Sequence, residues 1–228
     1  MKRIVGSIAC LLGFAMSIFF GWLAAVHVVG TDAELYYALQ MKAGILDFAG
    51  VSAETLVMLD EALSDCLKGD AAALNIEAEV FGEMQPAFNE KELIHMEDCR
   101  KLFELLRVGI RVSGIAGSLL LTLGCVLVRE DRRSIRLTAW LSPLMIVVPL
   151  GMLAVWAMID FNAAFNFFHE ILFTNDLWLL NPATDLLIRI CPISMFMAMG
   201  ARIGLIGLAW AIFIPALAMV LTAKKERA

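Results

Sequence analysis

Three histidines stand in this sequence, at positions 27, 95 and 169. His95 and His169 fall in stretches of helical apolar spacing outside any run long enough to cross a bilayer, whereas His27 closes the first such run. Imidazole has an unperturbed pKa of about 6.5, so it can take and return a proton near neutrality. A neutral ring can strip a proton from a nucleophile, and its imidazolium can hand one to a leaving oxygen. His95 has Glu92 and Asp98 three residues to either side and Cys99 four ahead, spacings that put all four on one helix face. His27, at a span end, is explained as an interfacial residue with no chemical role.

Other chemistries lack their residues. A zinc site needs three or four His, Cys or acidic ligands, and neither HxxxH nor HExxH occurs; His169-Glu170 has no second histidine after it. No GxSxG is present, and Ser113-Gly114 and Gly117-Ser118 read as small residues at helix contacts. Gly-rich phosphate loops, dinucleotide fingerprints and basic nucleic-acid patches are absent, so neither metal, cofactor nor nucleic acid is expected. The five cysteines form no CxxC. Cys10 and Cys125 lie within apolar runs as small hydrophobes, and among Cys66, Cys99 and Cys191 one disulfide is conceivable, with free thiols the expectation. Proton transfer at a membrane surface is what remains.

The elements that must position these histidines follow from composition. Hydrophobic residues make up 61% of the chain and charged residues 18%, against the roughly 45–50% and 25% of soluble domains. Four runs, 4–26, 112–128, 137–159 and 203–223, contain no ionisable acid or base and can cross the roughly 30 Å of bilayer hydrocarbon as helices. Pro143, Pro149 and Pro215 interrupt two of them, which lipid tolerates where side chains or neighbouring helices satisfy the freed carbonyls.

Lys2 and Arg3, then Arg129, Arg132, Arg133 and Arg136, then Lys224, Lys225 and Arg227 flank these runs, and the positive-inside rule makes those three segments cytoplasmic. Residues 27–106 hold sixteen acids against five bases and belong outside. The expectation is an all-α, polytopic membrane protein with four transmembrane helices and a helical extracytoplasmic cap. Its parts are 1–26 (N-terminus and first span), 27–106 (cap), 107–128 (second span), 129–136 (basic loop), 137–159 (third span), 160–202 (external interfacial segment) and 203–228 (fourth span and tail). A cleaved signal peptide is the alternative for the first span. Its 23-residue apolar run exceeds the roughly 7–15 of a signal core, no small-x-small site follows, and Cys10 is a poor lipobox cysteine.

Within 27–106, Leu56, Leu59, Leu63 and Leu67 recur at helical spacing and predict an amphipathic helix ending near Gly69, followed by a turn region with Gly82 and Pro86. Asn89 with Glu92 predicts a capping box that starts a helix carrying His95 and running into the second span. In 160–202, Phe161, Phe165, Phe168 and Leu172 form an apolar ridge on a short helix in the headgroup plane, with His169 beside it. Asn181-Pro182 predicts the start of a helix 182–190 that ends before Pro192. A straight helix would put His95 about 21 Å from residue 109, so the expectation is a recessed groove or a break near 107–109.

The string Leu93-Ile94-His95-Met96-Glu97-Asp98 with Cys99-Arg100-Lys101-Leu102-Phe103, and later His169-Glu170-Ile171-Leu172-Phe173 with Asn175, Trp178, Asn181-Pro182, Asp185 and Pro192, resembles the bacterial lipoprotein intramolecular transacylase (Lit) family over almost the whole chain. Cys99 departs from the pattern, where an aliphatic residue is expected. The resemblance implies an enzyme of the cell membrane, partnered by diacylglyceryl-modified lipoproteins and membrane lipid. It would move the sn-2 acyl chain from glyceryl oxygen to the cysteine α-amine, giving the lyso form without an outside donor. It also implies that His95 and His169 are the catalytic pair. Arg107, Asn175, Trp178 and Asn181 are candidate donors to the developing oxyanion, and Asp98 or Asp185 can orient an imidazole. A non-enzymatic scaffold or subunit and another membrane lipid hydrolase are the rival readings.

Overall fold

The computed structural model describes residues 1–223; Lys224, Lys225 and Arg227 of the basic tail lie outside the described residues. Four stretches are long and apolar enough to cross a membrane. They are α1 (Lys2–Gly30), α5 (Glu90–Leu127), the stretch Arg132–Ile159 formed by α6 (Arg132–Leu141) and α7 (Leu144–Ile159), and α10 (Ile193–Ala223). The other elements are α2 (Ala33–Ala43), α3 (Leu46–Ala49), α4 (Ala53–Lys68), β1 (Glu77–Val80), β2 (Glu83–Pro86), α8 (Phe161–Leu172) and α9 (Leu186–Ile190). The chain divides into two compact units.

Among the described residues the first unit comprises 1–26, 107–160 and 203–223. Its helices approach through small residues. A Cβ on Gly13 or Gly124 of the facing helices would collide with Leu121 or Cys10, and one on Gly21 or Gly207 would enter the rings of Trp210 or Trp22. In lipid the association of spans rests on such close packing, because the tails are as apolar as the side chains. Trp210 Nε1 donates to the Ser17 carbonyl at 2.8 Å. Pro143 has no N–H to give to the Ala139 carbonyl, and the Ser142 hydroxyl donates there instead at 3.0 Å. The basic connection is shorter than the expected 129–136. Asp131 accepts the Ser134 N–H at 3.1 Å and starts α6 at Arg132, so three of its arginines are helical. Arg136 and Arg132 bind Thr222 at 2.9 and 3.1 Å, which anchors α6 to α10.

The second unit comprises His27–Leu106 and Phe161–Arg202. Asp32 and Ser52 cap α2 and α4, and α4 buries Leu56, Leu59 and Leu63 before ending at Gly69. Gln40 on α2 donates to Asp60 of α4 at 2.9 Å and to the Ile190 carbonyl of α9 at 2.8 Å, fastening three elements by one fully buried amide. The expected turn region is in fact an antiparallel hairpin of β1 and β2, closed by Phe81 and Gly82, both at positive φ (53° and 84°). A two-residue loop with both residues left-handed matches strand twist, and it inserts Ala78 and Val80 into the core.

Two further expectations change. The predicted helix 182–190 begins only at Leu186: 182–184 is a turn in which the Asn181 carbonyl accepts from Thr184 and Asp185. The fourth span's helix begins at Ile193, ten residues before the apolar run itself. Across 107–109 α5 is unbroken, which removes the break.

Candidate active site

The site is assembled on two segments of the second unit. The first is the start of α5, where the predicted capping box forms: Glu92 N–H donates to Asn89 Oδ1 at 3.1 Å, and Asn89 N–H donates to Glu92 Oε2 at 2.8 Å. The other Glu92 oxygen accepts the Leu187 N–H at 2.6 Å, so one carboxylate begins α5 and caps α9 as well. Glu92 is 1% exposed; burial drives its pKa up, with the two N–H donors opposing. Asn89 Nδ2 donates to Asp185 Oδ1 at 2.9 Å, and the other Asp185 oxygen accepts the Asn181 N–H at 2.7 Å. Thr184 adds a 2.7 Å bond to that carboxylate, and Lys91 stands 3.8 Å from it while also donating to the Leu179 carbonyl. Burial pushes Asp185 up, but these donors and the lysine outweigh it and hold the pKa low.

These bonds lay the segment after α8 against α5. A second clamp sits one helical turn past His95, where Asn175 Nδ2 donates to Asp98 Oδ2 at 2.9 Å and Lys101 reaches Oδ1 of the same carboxylate at 3.4 Å. Between the clamps the two imidazoles face each other, ring centroids 6.2 Å apart, each histidine 8% exposed. Both are withdrawn from water yet close enough to share one bound group.

Their surroundings fix different proton positions. His169 Nδ1 lies 2.7 Å from the Phe165 carbonyl one turn back on α8. A carbonyl only accepts, so Nδ1 carries the hydrogen and Nε2 keeps its lone pair. Rings enclose this imidazole: Phe165 at 4.1 Å, Trp178 at 4.9 Å, and Phe168 and Phe173 each at 5.5 Å. Burial lowers the His169 pKa, the Phe165 bond acting against it. For His95, burial and then the neighbouring His169 pull the pKa down to about 4, with Asp98 opposing. Burial thus favours the neutral form of both rings. Phe173 stands edge-on to His95 at 5.1 Å and forms a wall common to both. His95 Nε2 lies 3.7 Å from Cys99 Sγ, and His95 Nδ1 is buried with no hydrogen-bond partner among the described residues.

Of the candidate residues, His95, His169, Trp178, Asn175 and Asp98 come together here. Asn181 and Asp185 belong to the loop clip rather than to a ring: Asn181 Oδ1 accepts from Ala183 N–H at 3.0 Å, and the partners of Asp185 are Asn89, Thr184, Asn181 and Lys91. Arg107 lies in the first unit, where its carbonyl accepts from Arg111 Nε at 3.3 Å. His27 has its ring 6.3 Å from that of Phe103. Of the expected apolar ridge, Phe161 and Phe165 are half-buried and Phe168 and Leu172 exposed. Three groups that shape this cluster were not singled out in the sequence: the Phe165 carbonyl, Phe173 and Glu92 as the cap of α9. The spacings 165, 169 and 173 on one helix face were the available signal. All five cysteines are free, and no three His, Cys, Asp or Glu among the described residues are placed to hold a metal ion.

A family model for the lipoprotein intramolecular transacylase Lit matches residues 11–196. Among curated proteins none matches the sequence. Similar in fold is the solved in meso structure of the membrane-integral lipoprotein intramolecular transacylase Lit from Bacillus cereus, at 20% identity and a TM-score of 0.70, with 100% of this chain and 99% of that chain covered. A form of that protein with one histidine changed to arginine gives 20% and 0.70, covering 100% and 94%. One with histidine changed to alanine gives 20% and 0.71, covering 100% and 96%. At this identity the structural likeness speaks for the fold.

Proposed function

The chain belongs to the lipoprotein intramolecular transacylase family, and within that membership we propose that it shifts the sn-2 acyl chain of a diacylglyceryl-cysteine lipoprotein to the cysteine α-amine, with His169 as proton acceptor and His95 as donor at oxygen. It is a membrane-integral acyltransferase with a lipoprotein substrate. The observation that carries the finer reading is the pair of buried rings 6.2 Å apart, one of which has its Nδ1 bound to the Phe165 carbonyl.

The chemistry follows from that asymmetry. The α-amine, with a pKa of about 7.7–8.0, attacks as the free base, and His169 Nε2 takes its second proton as the C–N bond forms. Negative charge develops on the ester carbonyl oxygen, where the His95 N–H supports it. The C–O bond then breaks, and the His169 imidazolium returns the proton to the glyceryl oxygen. Nothing enters or leaves, and both rings end as they began. Amine and ester belong to one molecule, so holding the substrate in attack geometry supplies several kcal/mol on the order of measured effective molarities. Trp178 shields the base, and the bond between Asn175 and Asp98 holds the loop on which Trp178 stands. Asn181 and Asp185 keep that loop on α5, and Arg107, in the first unit, meets lipid headgroup oxygens with its guanidinium.

Both termini and residues 129–136 are placed in the cytoplasm and the second unit outside, on the strength of the basic flanks and the acidic 27–106 segment. A membrane-impermeant thiol reagent should label Asp70→Cys in intact cells; labelling only after permeabilisation would invert the topology.

The decisive measurement is the N-terminus of a reporter lipoprotein. O-to-N transfer is an isomerisation, so the intact mass stays constant while the amine ceases to react and an alkali-stable amide appears. His95→Ala and His169→Ala should lower the rate by about 10²–10⁴, the usual worth of proton-transfer groups, and His27→Ala should be nearly silent. Full conversion by either active-site variant would sink the assignment, and loss of one acyl chain would show a hydrolase instead.

A further inference from the structure

We propose that Cys99 is a positioning residue for His95: its S–H donates to Nε2 and so places the proton of the neutral ring on Nδ1, making His95 a hydrogen-bond donor to substrate oxygen. This deepens the role given to His95 above and rests on it.

Three observations carry the proposal. Cys99 follows His95 by one turn of α5, and its Sγ lies 3.7 Å from Nε2, within reach of a sulfur hydrogen bond. Among the described residues no other hydrogen-bond partner stands at either ring nitrogen: Nδ1 is buried and unpartnered, and the carboxylate of Asp98, three residues on, is engaged by Asn175 and Lys101. The ring is 8% exposed, so bulk water does not choose the tautomer.

The direction of the bond follows from the two groups. An imidazole nitrogen with a lone pair is a good acceptor, whereas a thiol sulfur is a weak one, so S–H to Nε2 is the favoured arrangement. Burial, with Cys66 and Asp98 adding to it, pushes the Cys99 thiol up to about 12, so the sulfur keeps its hydrogen at any pH where the reaction runs. The thiol is thus a donor and no nucleophile.

The consequence is a pair of opposite tautomers. His169 gives its Nδ1–H to the Phe165 carbonyl and offers a bare Nε2. His95 has its Nε2 occupied by Cys99 and offers an N–H with no acceptor among the described residues. A buried donor without an acceptor is costly in the resting site. An ester carbonyl oxygen gaining charge is the acceptor that would satisfy it, and more fully in the transition state than in the ground state.

The test uses the full chain in detergent with ¹⁵N-histidine labelling, since ring nitrogen shifts distinguish Nδ1–H from Nε2–H, together with turnover of a diacylglyceryl-cysteine lipopeptide. Wild type should show His95 protonated on Nδ1. In Cys99→Ala the Nε2–H form should become populated and kcat should fall about tenfold with KM little changed. Cys99→Ser, which restores a hydroxyl donor, should recover the Nδ1–H tautomer and most of the lost kcat. An unchanged tautomer or an unchanged kcat in Cys99→Ala overturns the proposal, as does a serine variant no better than alanine. Full activity of His95→Ala would instead overturn the role of His95 in the reaction while leaving its tautomer measurement intact, so the two failures are distinguishable.

Discussion

His169 is held by its own backbone and by aromatic rings, whereas His95 is held by side chains four residues away or on another segment. The carbonyl that fixes the His169 proton belongs to Phe165 of the same helix, and Phe165, Phe173 and Trp178 leave the ring little freedom. Around His95 the one hydrogen-bond partner among the described residues is a thiol, and the Asp98 carboxylate one turn on is engaged with Asn175 instead. Each arrangement suits a different duty. A base must present the same lone pair through repeated protonation, and a main-chain acceptor that cannot reorient secures that. A ring that only donates can be set by a weaker partner such as a thiol.

If aromatic enclosure is what keeps His169 in place, removing its nearest wall outside α8 should hurt more than changing polar groups around the loop. Trp178→Ala should lower kcat by about 10- to 100-fold, the scale of a misplacement near 1 Å. Trp178→Phe should keep most of the rate, because a stacked ring remains. Initial rates on the reporter lipopeptide decide it: an alanine variant as fast as wild type would show that the Phe165 carbonyl alone suffices. An equal loss in both variants would point to the indole N–H as a donor to substrate.

Local structure was legible where its cause is local. The capping box of Asn89 and Glu92, the α4 stripe and the α8 helix depend on neighbours within about four residues, and all form. The four apolar stretches depend on composition alone. The hairpin was missed because two four-residue strands give almost no periodicity, and because Phe81 takes a left-handed conformation usually left to glycine or asparagine. The start of α9 was placed too early because the Asp185 carboxylate is engaged by Asn89, 96 residues away, and Glu92 supplies the cap instead. Residue type and spacing singled out the two histidines, but no spacing brings residues 95 and 169 face to face. That depends on the Asn175–Asp98 and Glu92–Leu187 bonds, which exist only in the folded chain.

The two rings also differ in the order in which they titrate. Burial lowers both pKa values from 6.5, but the Phe165 carbonyl opposes it at His169, while at His95 the neighbouring imidazole adds to it and the value reaches about 4. As pH falls, His169 should protonate first, and activity should go with it, since a protonated base accepts nothing. Above that point the rate should follow the substrate amine alone, falling about tenfold per unit below its pKa of about 7.7–8.0. Stability cannot report this order. A lowered histidine contributes stability in full above about pH 6.5, and loses it as pH drops toward the value of about 4 at His95. Asp60 runs the opposite way: burial raises it from 3.8 to about 7, so its contribution is present at low pH and is lost as pH rises toward 7. The two trends overlap between about pH 4 and 6.5 and partly cancel in a melting curve. Site-resolved titration of the two labelled imidazoles avoids that cancellation. His95 is expected to remain neutral at a pH where His169 is already half protonated; the reverse order would mean that His95, and not His169, is the ring that takes the proton from the amine.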